Sequence, residues 1–148
     1  SPGPQSIVVA ELDGDGFLDL VVASDDEVAD PAAWVALNDK AGGFLAPTPY
    51  PVASRAAGIA GGDLNGDGKL DIVVANRAKA TISVLLGNGD GTFGSQTEVA
   101  ITASDPAIAG SVTGWTVAIG DVDQDGRADI AVGDRGDATL SVLRNSCK

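Results

Sequence analysis

Regularly spaced carboxylates are the residues of this chain with the clearest chemical potential. Eleven of its 21 Asp and Glu residues lie in three nine-residue windows, which begin at Glu11, Asp63 and Asp121. Each window has an acid at position 1, Asp or Asn at position 3, Asp at position 5, Gly at position 6 and Asp at position 9. In a tightly curled loop alternate side chains turn inward, so positions 1, 3 and 5 and the position 7 carbonyl can surround one ion.

Hard oxygen donors of this number favour calcium, and the chain has no His that would suit a softer metal. Magnesium is less suited to so many protein ligands. An EF-hand loop is excluded because Asp at position 9 replaces the Glu expected at position 12, and because predicted strands flank the loop. We expect a structural ion that neutralises mutually repelling carboxylates. The alternative is three solvated acidic turns, which the threefold repetition of one spacing disfavours.

The net charge of −12 limits the classes of partner. It repels phosphate backbones and anionic lipid, so we expect no nucleic-acid binding. No segment approaches the roughly 18 consecutive apolar residues of a membrane-spanning helix, so we expect no membrane insertion. The single Cys147 supports neither a disulfide framework nor a thiolate metal site.

The acidic windows belong to a longer repeat, with steps of 52 and 58 residues between their first acids. The three copies read ELDGDGFLDLVVAS, DLNGDGKLDIVVAN and DVDQDGRADIAVGD. Short apolar segments precede each loop, at 7–10, 57–60 and 115–119, and third-strand candidates follow at 34–37, 81–86 and 139–143. A Gly/Asn-rich turn at 87–91 leads through Phe93 to a fourth strand that ends near Ile101, and Phe44 opens the matching segment of the first copy. Each copy is therefore predicted to be a four-stranded antiparallel meander.

These meanders predict an all-β fold of β-propeller blades, since one small sheet buries its faces only by stacking on neighbours. We expect a linker at 1–6 and blades at about 7–54, 55–108 and 109–148. The third blade lacks its outermost strand, so the chain is predicted to be half or part of a larger propeller. A β-solenoid is the alternative, although solenoid calcium repeats are much shorter.

The runs GDLNGDGKLDIVVAN from Gly62 and ISVLLGNGDGTF from Ile82 resemble the FG-GAP or VCBS repeat, the blade of integrin alpha-subunit propellers and many secreted bacterial proteins. The resemblance covers nearly the whole chain and implies about three calcium ions. Glu11 and the segment 38–44 depart from the repeat pattern. The implied ligands, with carbonyls at Phe17, Lys69 and Arg127, are Glu11, Asp13, Asp15, Phe17 and Asp19; Asp63, Asn65, Asp67, Lys69 and Asp71; and Asp121, Asp123, Asp125, Arg127 and Asp129.

The same resemblance implies that the calcium loops lie on one face and that partners bind the other. The candidate segments are 25–33, 77–80 and 135–138 within blades, and Arg55 and 102–114 between them. An aromatic and cationic rim could bind a glycan or a peptide carboxylate, and its members are Trp34, Arg55, Arg77, Trp115 and Arg135. Alternatively, the tryptophans pack between blades and the arginines are solvated.

We expect a secreted, non-enzymatic module for adhesion or for recognition of a glycan or protein ligand. The chain has no His, no GxSxG elbow and no phosphate-cradling loop. One alternative is a domain of a carbohydrate-active enzyme that uses an acid outside the loops, such as Asp105 or Asp134. Another is a structural spacer in a surface protein. Because three blades leave open faces, we expect a homodimer that completes a six-bladed ring.

Overall fold

The computed structural model describes residues 3–25, 31–101, 114–134 and 139–146, and the regular structure within these ranges consists of β-strands. No helix in the described ranges is long and apolar enough to cross a membrane. The strands, in chain order, are β1 (Pro4–Ala10), β2 (Asp19–Ser24), β3 (Ala32–Ala36), β4 (Thr48–Pro51), β5 (Ala56–Gly62), β6 (Asp71–Asn76), β7 (Thr81–Leu85), β8 (Thr97–Ala100), β9 (Gly114–Gly120), β10 (Asp129–Asp134) and β11 (Thr139–Leu143).

The strands form three antiparallel sheets in chain order, which confirms the predicted all-β fold and its meanders. Blade 1 contains β1 to β4, blade 2 contains β5 to β8, and blade 3 contains β9 to β11. Strand β1 begins at Pro4, inside the segment expected to be a linker, and Pro4 pairs with Ser24. The first blade therefore includes residues that the sequence had assigned to the linker at 1–6.

Two apolar cores lie between consecutive blades. Because neighbouring residues of a strand point to opposite faces, each blade has two faces, here called face A and face B. Face B of blade 1, with Val21 and Val35, packs on face A of blade 2, with Ile72 and Val74. Face B of blade 2, with Val73, packs in turn on face A of blade 3. Strand β6 of the middle blade is consequently buried on both faces.

An aromatic pair fills the outer part of the core between blades 1 and 2. The rings of Tyr50 and Phe93 meet edge to face, with centroids 5.4 Å apart. Between blades 2 and 3, residues that include Val84, Val99 and Leu143 line an apolar pocket of about 400 Å³ that is open to solvent.

Candidate metal centre

The three acidic loops connect the first strand of each blade to the second. They span residues 11–18, 63–70 and 121–128, between β1 and β2, β5 and β6, and β9 and β10. The chain curls sharply at loop positions 4 and 6, where φ lies between 62° and 86° in all three loops. Gly occupies five of these six positions, and Gln124 occupies the sixth with φ of 62°. The three loops thus share one backbone conformation at one end of the blades.

The first carboxylate of each loop turns inward and accepts backbone N–H groups from the loop itself. Glu11 accepts from the amides of Asp13, Gly14 and Asp15. Asp63 accepts through Oδ1 from Gly66 at 2.7 Å and through Oδ2 from Gly68 at 2.8 Å. Asp121 makes the same kind of bonds to the amides at loop positions 5 and 6. The longer Glu11 side chain therefore reaches the same part of its loop as the aspartates.

The side chain at position 3 adds an oxygen to that of position 1, and the third oxygen comes from position 5 in the first loop and from position 9 in the third. Within the first loop, one oxygen each from Glu11, Asp13 and Asp15 lie within 4.8 Å of one another, and Asp121, Asp123 and Asp129 are grouped in the same way in the third. In the middle loop Asn65 takes the position of Asp13 and Asp123 and accepts the Asp67 amide at 3.0 Å. The position 5 carboxylates accept the amides of Phe17, Lys69 and Arg127. Such groups of oxygens could hold a metal ion.

The pKa values of two neighbouring acids in the first loop shift in opposite directions. Burial, followed by the negative charges of Asp15, Asp19 and Glu11, raises the pKa of Asp13 above its ordinary value of 3.8. The pKa of Asp15 is lowered by the Phe17 amide and then by Lys40, whose Nζ lies 3.0 Å from Oδ2. Crowded negative charge at Asp13 is the condition that a bound cation would relieve.

The position 9 aspartates differ from the other loop acids because they are buried and doubly bonded. Asp19, Asp71 and Asp129 are 0%, 0% and 1% exposed. Each accepts through Oδ2 the amide at loop position 2, at 2.9 to 3.0 Å. Each also accepts through Oδ1 the amide that follows the third strand, at 2.7 to 2.9 Å. The donors of this second set are Asn38, Gly87 and Asn145, so every position 9 side chain joins its loop to the end of the third strand.

These bonds lower the pKa of Asp129, with the Asn145 amide the largest cause and the Val122 amide the second. The resemblance to the FG-GAP repeat implied position 9 as an ion ligand, but the sequence contained no signal for this second role. The donors after the third strand are backbone amides that lie 16 to 19 residues away in sequence, so their identity as Asn or Gly does not mark them as partners.

Comparison with known families agrees with this repeated geometry. The FG-GAP-like repeat matches residues 11–74 and again residues 63–132, each match running from one acidic loop through the next. The chain belongs to the FG-GAP-like repeat family. A comparison with curated proteins returned no match.

Within this FG-GAP-like chain, the predicted binding rim is only partly assembled. Arg55 and Arg77 meet at Asp25, which is 2% exposed. Arg55 donates from Nε to Oδ1 at 2.6 Å and from Nη2 to Oδ2 at 3.1 Å, and Arg77 donates to Oδ2 at 3.4 Å. These bonds link the end of β2 in blade 1 to the residue before β5 and the residue after β6 in blade 2. Asp25 was predicted only as part of the candidate segment 25–33, and not as the partner of these arginines.

The tryptophans and the third arginine of the predicted rim lie elsewhere or outside the described residues. Trp34 lies in the middle of β3, paired with Val22 and Pro49, and not at the strand ends where Arg55 and Arg77 meet. The side chain of Trp115 and the whole of Arg135 lie outside the described part of the chain. The candidate segments 26–30, 102–113 and 135–138, and with them Asp105, are also outside it, as is the side chain of Asp134.

Proposed function

We propose that this FG-GAP-like chain is a secreted, calcium-binding β-propeller module, with one structural calcium ion in each acidic loop. The main observation in support is that three carboxylate oxygens come within 4.8 Å of one another in the first loop and again in the third. Oxygen donors alone suit a hard cation, and a six- to eight-fold shell favours calcium over magnesium. The middle loop has the same curl and would use Asn65 as a neutral oxygen donor.

The ion would act on stability, since it would hold a loop that joins the first two strands of each blade. The expected consequence of calcium binding is a higher free energy of unfolding, in proportion to the logarithm of calcium concentration above the dissociation constant. Extracellular calcium modules bind with dissociation constants of roughly 0.1 to 1 mM, so saturation would require the calcium level found outside cells. A dissociation constant in this range, measured by calorimetry, would support the proposed secretion.

The experiment is thermal unfolding and isothermal calorimetry of the 148-residue chain with calcium, with magnesium and with a chelator. We expect calcium to raise the midpoint by several degrees and magnesium to raise it less. Asp67→Asn should weaken the calcium response, whereas Glu98→Gln, a change on the outer strand β8, should leave it intact. Equal midpoints in calcium and chelator would mean that the loops are acidic turns and that the proposed function is wrong.

We further propose a non-enzymatic role in adhesion or in recognition of a glycan or protein ligand. The end of the blades opposite the acidic loops is the proposed ligand surface, because Arg55 and Arg77 remain 42% and 35% exposed there while bound to Asp25. Guanidinium groups held in place in this way suit a carboxylate or an acidic sugar. The test is a glycan array that includes sialylated and uronic-acid glycans, probed in calcium with the wild type and with Arg77→Lys.

Binding of acidic glycans that Arg77→Lys weakens would support recognition at this end. Hydrolysis of a glycan by the isolated chain would instead support the carbohydrate-active enzyme alternative. A calcium-dependent fold without binding on the array or to extracellular-matrix proteins would support a structural spacer.

A further inference from the structure

The two terminal blades leave complementary sheet faces uncovered by any described residue of this chain. Face A of blade 1 presents Ile7 and Val9, each 55% exposed, beside Val22 and Trp34. Face B of blade 3 presents Ala118, Ala131 and Leu140, the last 68% exposed. Apolar faces of this kind are the surfaces that the repeat buries between its own blades.

Strand registers show that these two faces correspond to the faces that pack together between blades 1 and 2 and between blades 2 and 3. Val9 stands opposite Leu20 as Gly61 stands opposite Ile72 and Ile119 opposite Ile130. A Cβ on Gly61 would lie 3.2 Å from Val8 on face B of blade 1. Face A of one blade thus packs on face B of the preceding blade, and Val9 is a face A residue without such a cover in the described chain.

Open space marks the matching position on blade 3. Gly62 and Gly120 end β5 and β9 at equivalent positions. A Cβ on Gly62 would lie 2.7 Å from Cγ2 of Ile119, which covers it from the next blade. A Cβ on Gly120 would meet no atom within 4 Å. Ala118 and Gly120 lie on the same face of blade 3. A side chain equivalent to Ile119, such as that of Val9, could therefore pack on them as Ile119 packs on Gly62.

The side-chain sizes on the two open faces compensate for each other. Trp34 stands at the register position of Ser83 and Ser141, which adds volume to face A of blade 1. On face B of blade 3, Ala131 and Gly133 stand where blade 1 has Val21 and Ala23, which removes volume, and Leu140 stands where blade 1 has Ala33, which restores part of it. Close packing at protein interior density requires such compensation across an interface.

A polar group gives a second, independent observation. Asn145 donates from Nδ2 to the Ala128 carbonyl at 3.3 Å and, across the blade boundary, to the Leu64 carbonyl at 2.6 Å. Asn38, at the equivalent place in blade 1, makes the first bond, to the Leu18 carbonyl at 3.3 Å. No described residue accepts a second hydrogen bond from the Asn38 side chain in the way that the Leu64 carbonyl accepts one from Asn145. The carbonyl equivalent to that of Leu64 belongs to Val122 in blade 3.

We propose that two copies of this chain associate head to tail, face A of blade 1 of each copy packing on face B of blade 3 of the other. Val9 then packs on Ala118 and Gly120 of the second copy, and Asn38 donates to its Val122 carbonyl. Two such contacts close six blades into a ring by two-fold symmetry. The proposal goes beyond calcium binding, because the packing residues lie on sheet faces and not in the loops.

The experiment is mass measurement by light scattering and sedimentation across micromolar to millimolar concentrations of the 148-residue chain. The wild type is expected to be a dimer. Val9→Lys and Ala118→Glu should each be monomeric, because a charge is buried at both contacts of the ring. An equimolar mixture of the two variants should dimerise again, since one contact pairs Lys with Glu and the other is wild type. Ser95→Lys, on the exposed turn of blade 2, should remain a dimer.

Asn38 provides a graded test with a matched control. Asn38→Ala removes one hydrogen bond at each of the two contacts, so it should raise the dissociation constant of the dimer about five- to hundredfold. Asn145→Ala loses the same bond inside one copy, so it should lower the unfolding midpoint with little effect on the dissociation constant. Circular dichroism checks that every variant is folded.

A wild type that is monomeric at all concentrations would overturn the proposal and leave the faces to other blades or another protein. Open-ended polymers, or a mixture of variants that stays monomeric, would also overturn it. A monomer whose unfolding midpoint still rises with calcium would contradict the dimer while leaving the proposed calcium function intact.

Discussion

The position 9 aspartates hold their loops through backbone hydrogen bonds that do not require a bound ion. Both oxygens of Asp71 are bonded to backbone amides, Leu64 at 2.9 Å and Gly87 at 2.9 Å. A buried amide left without an acceptor costs about 1–3 kcal/mol. This contribution to stability is therefore separable from the contribution of calcium, which would also need the oxygens at loop positions 1, 3 and 5.

Asp71→Asn is predicted to destabilise blade 2 even in the presence of chelator. The Asn amide cannot accept both backbone donors, so we expect a loss of about 1–3 kcal/mol in the free energy of unfolding. Asp67→Asn, in the exposed part of the same loop, should change this free energy by less than about 0.5 kcal/mol in chelator. Urea unfolding monitored by circular dichroism measures both. Equal effects of the two variants in chelator would contradict the structural role of Asp71.

Gln124 has a backbone conformation that is unfavourable for its residue type. It is the one non-glycine at loop positions 4 and 6, and its φ of 62° costs an L-residue about 1 kcal/mol or more. Gln124→Gly is predicted to raise the free energy of unfolding by roughly 0.5–1 kcal/mol, the strain relief being partly offset by the greater freedom of Gly in the unfolded chain. Gln124→Ala is the control. It keeps an L-residue at this backbone angle, so it should not stabilise the protein. Thermal and urea unfolding provide the comparison.

At the scale of elements, the turn between the third and fourth strands contributes to the core between blades. The segment after β7 returns through the bridge between Gly87 and Phe93, and Phe93 is only 9% exposed. Its ring packs against Tyr50 of the preceding blade. Phe44 occupies the matching bridge in blade 1, yet it is 46% exposed. The same local motif is therefore buried or exposed according to whether a blade lies against it.

Phe93→Ala is predicted to lower the free energy of unfolding by about 3–5 kcal/mol, because it removes a buried ring and leaves a cavity between two blades. Phe44→Ala should cost less than about 1 kcal/mol in the monomer, since much of its ring is already in water. Denaturant unfolding at low protein concentration measures both changes. A cost for Phe44→Ala as large as that for Phe93→Ala would show that the monomer covers face A of blade 1.

At the scale of the whole molecule, blades are joined by charge as well as by apolar contact. Asp25 at the end of β2 holds Arg55 and Arg77, which lie 30 and 52 residues away in sequence. The pair lies at the end of the blades opposite the acidic loops. At the end with the acidic loops, the Gly91 amide of blade 2 donates to the Leu12 carbonyl of blade 1 at 2.9 Å. Bonds at both ends of the sheets, together with the apolar core between them, therefore join blades 1 and 2.

Asp25→Asn is predicted to weaken this junction. The substitution keeps the size of the side chain but removes the buried charge that pairs with both arginines. A cost of about 3–5 kcal/mol applies to a fully buried pair, and the partial exposure of both arginines reduces the expected loss to about 1–3 kcal/mol. Glu98→Gln, which disrupts the exposed pair with Lys79, should change the free energy of unfolding by less than about 0.5 kcal/mol. Urea unfolding at low salt compares the two variants.

Much of the fold could be predicted because its signals are local and repeated. Alternating apolar residues specify strands such as β6, and Gly66 and Gly68 specify the loop curl by their permitted backbone angles. Three copies of one pattern also identified the repeat family. The start of β1 at Pro4 could not be predicted, because its pairing with Ser24 is a contact between strands and residues 1–6 have the composition of a linker.

The sequence by itself therefore determined the strands, the loop conformation and the acids that converge in each loop, since these depend on residues close together in the chain. Tertiary structure alone decided that Asp25 is the partner of Arg55 and Arg77, and that Asp71 joins Leu64 to Gly87. The physical reason is that burial and pairing between distant residues depend on which blade lies against which. No local period in the sequence carries that information.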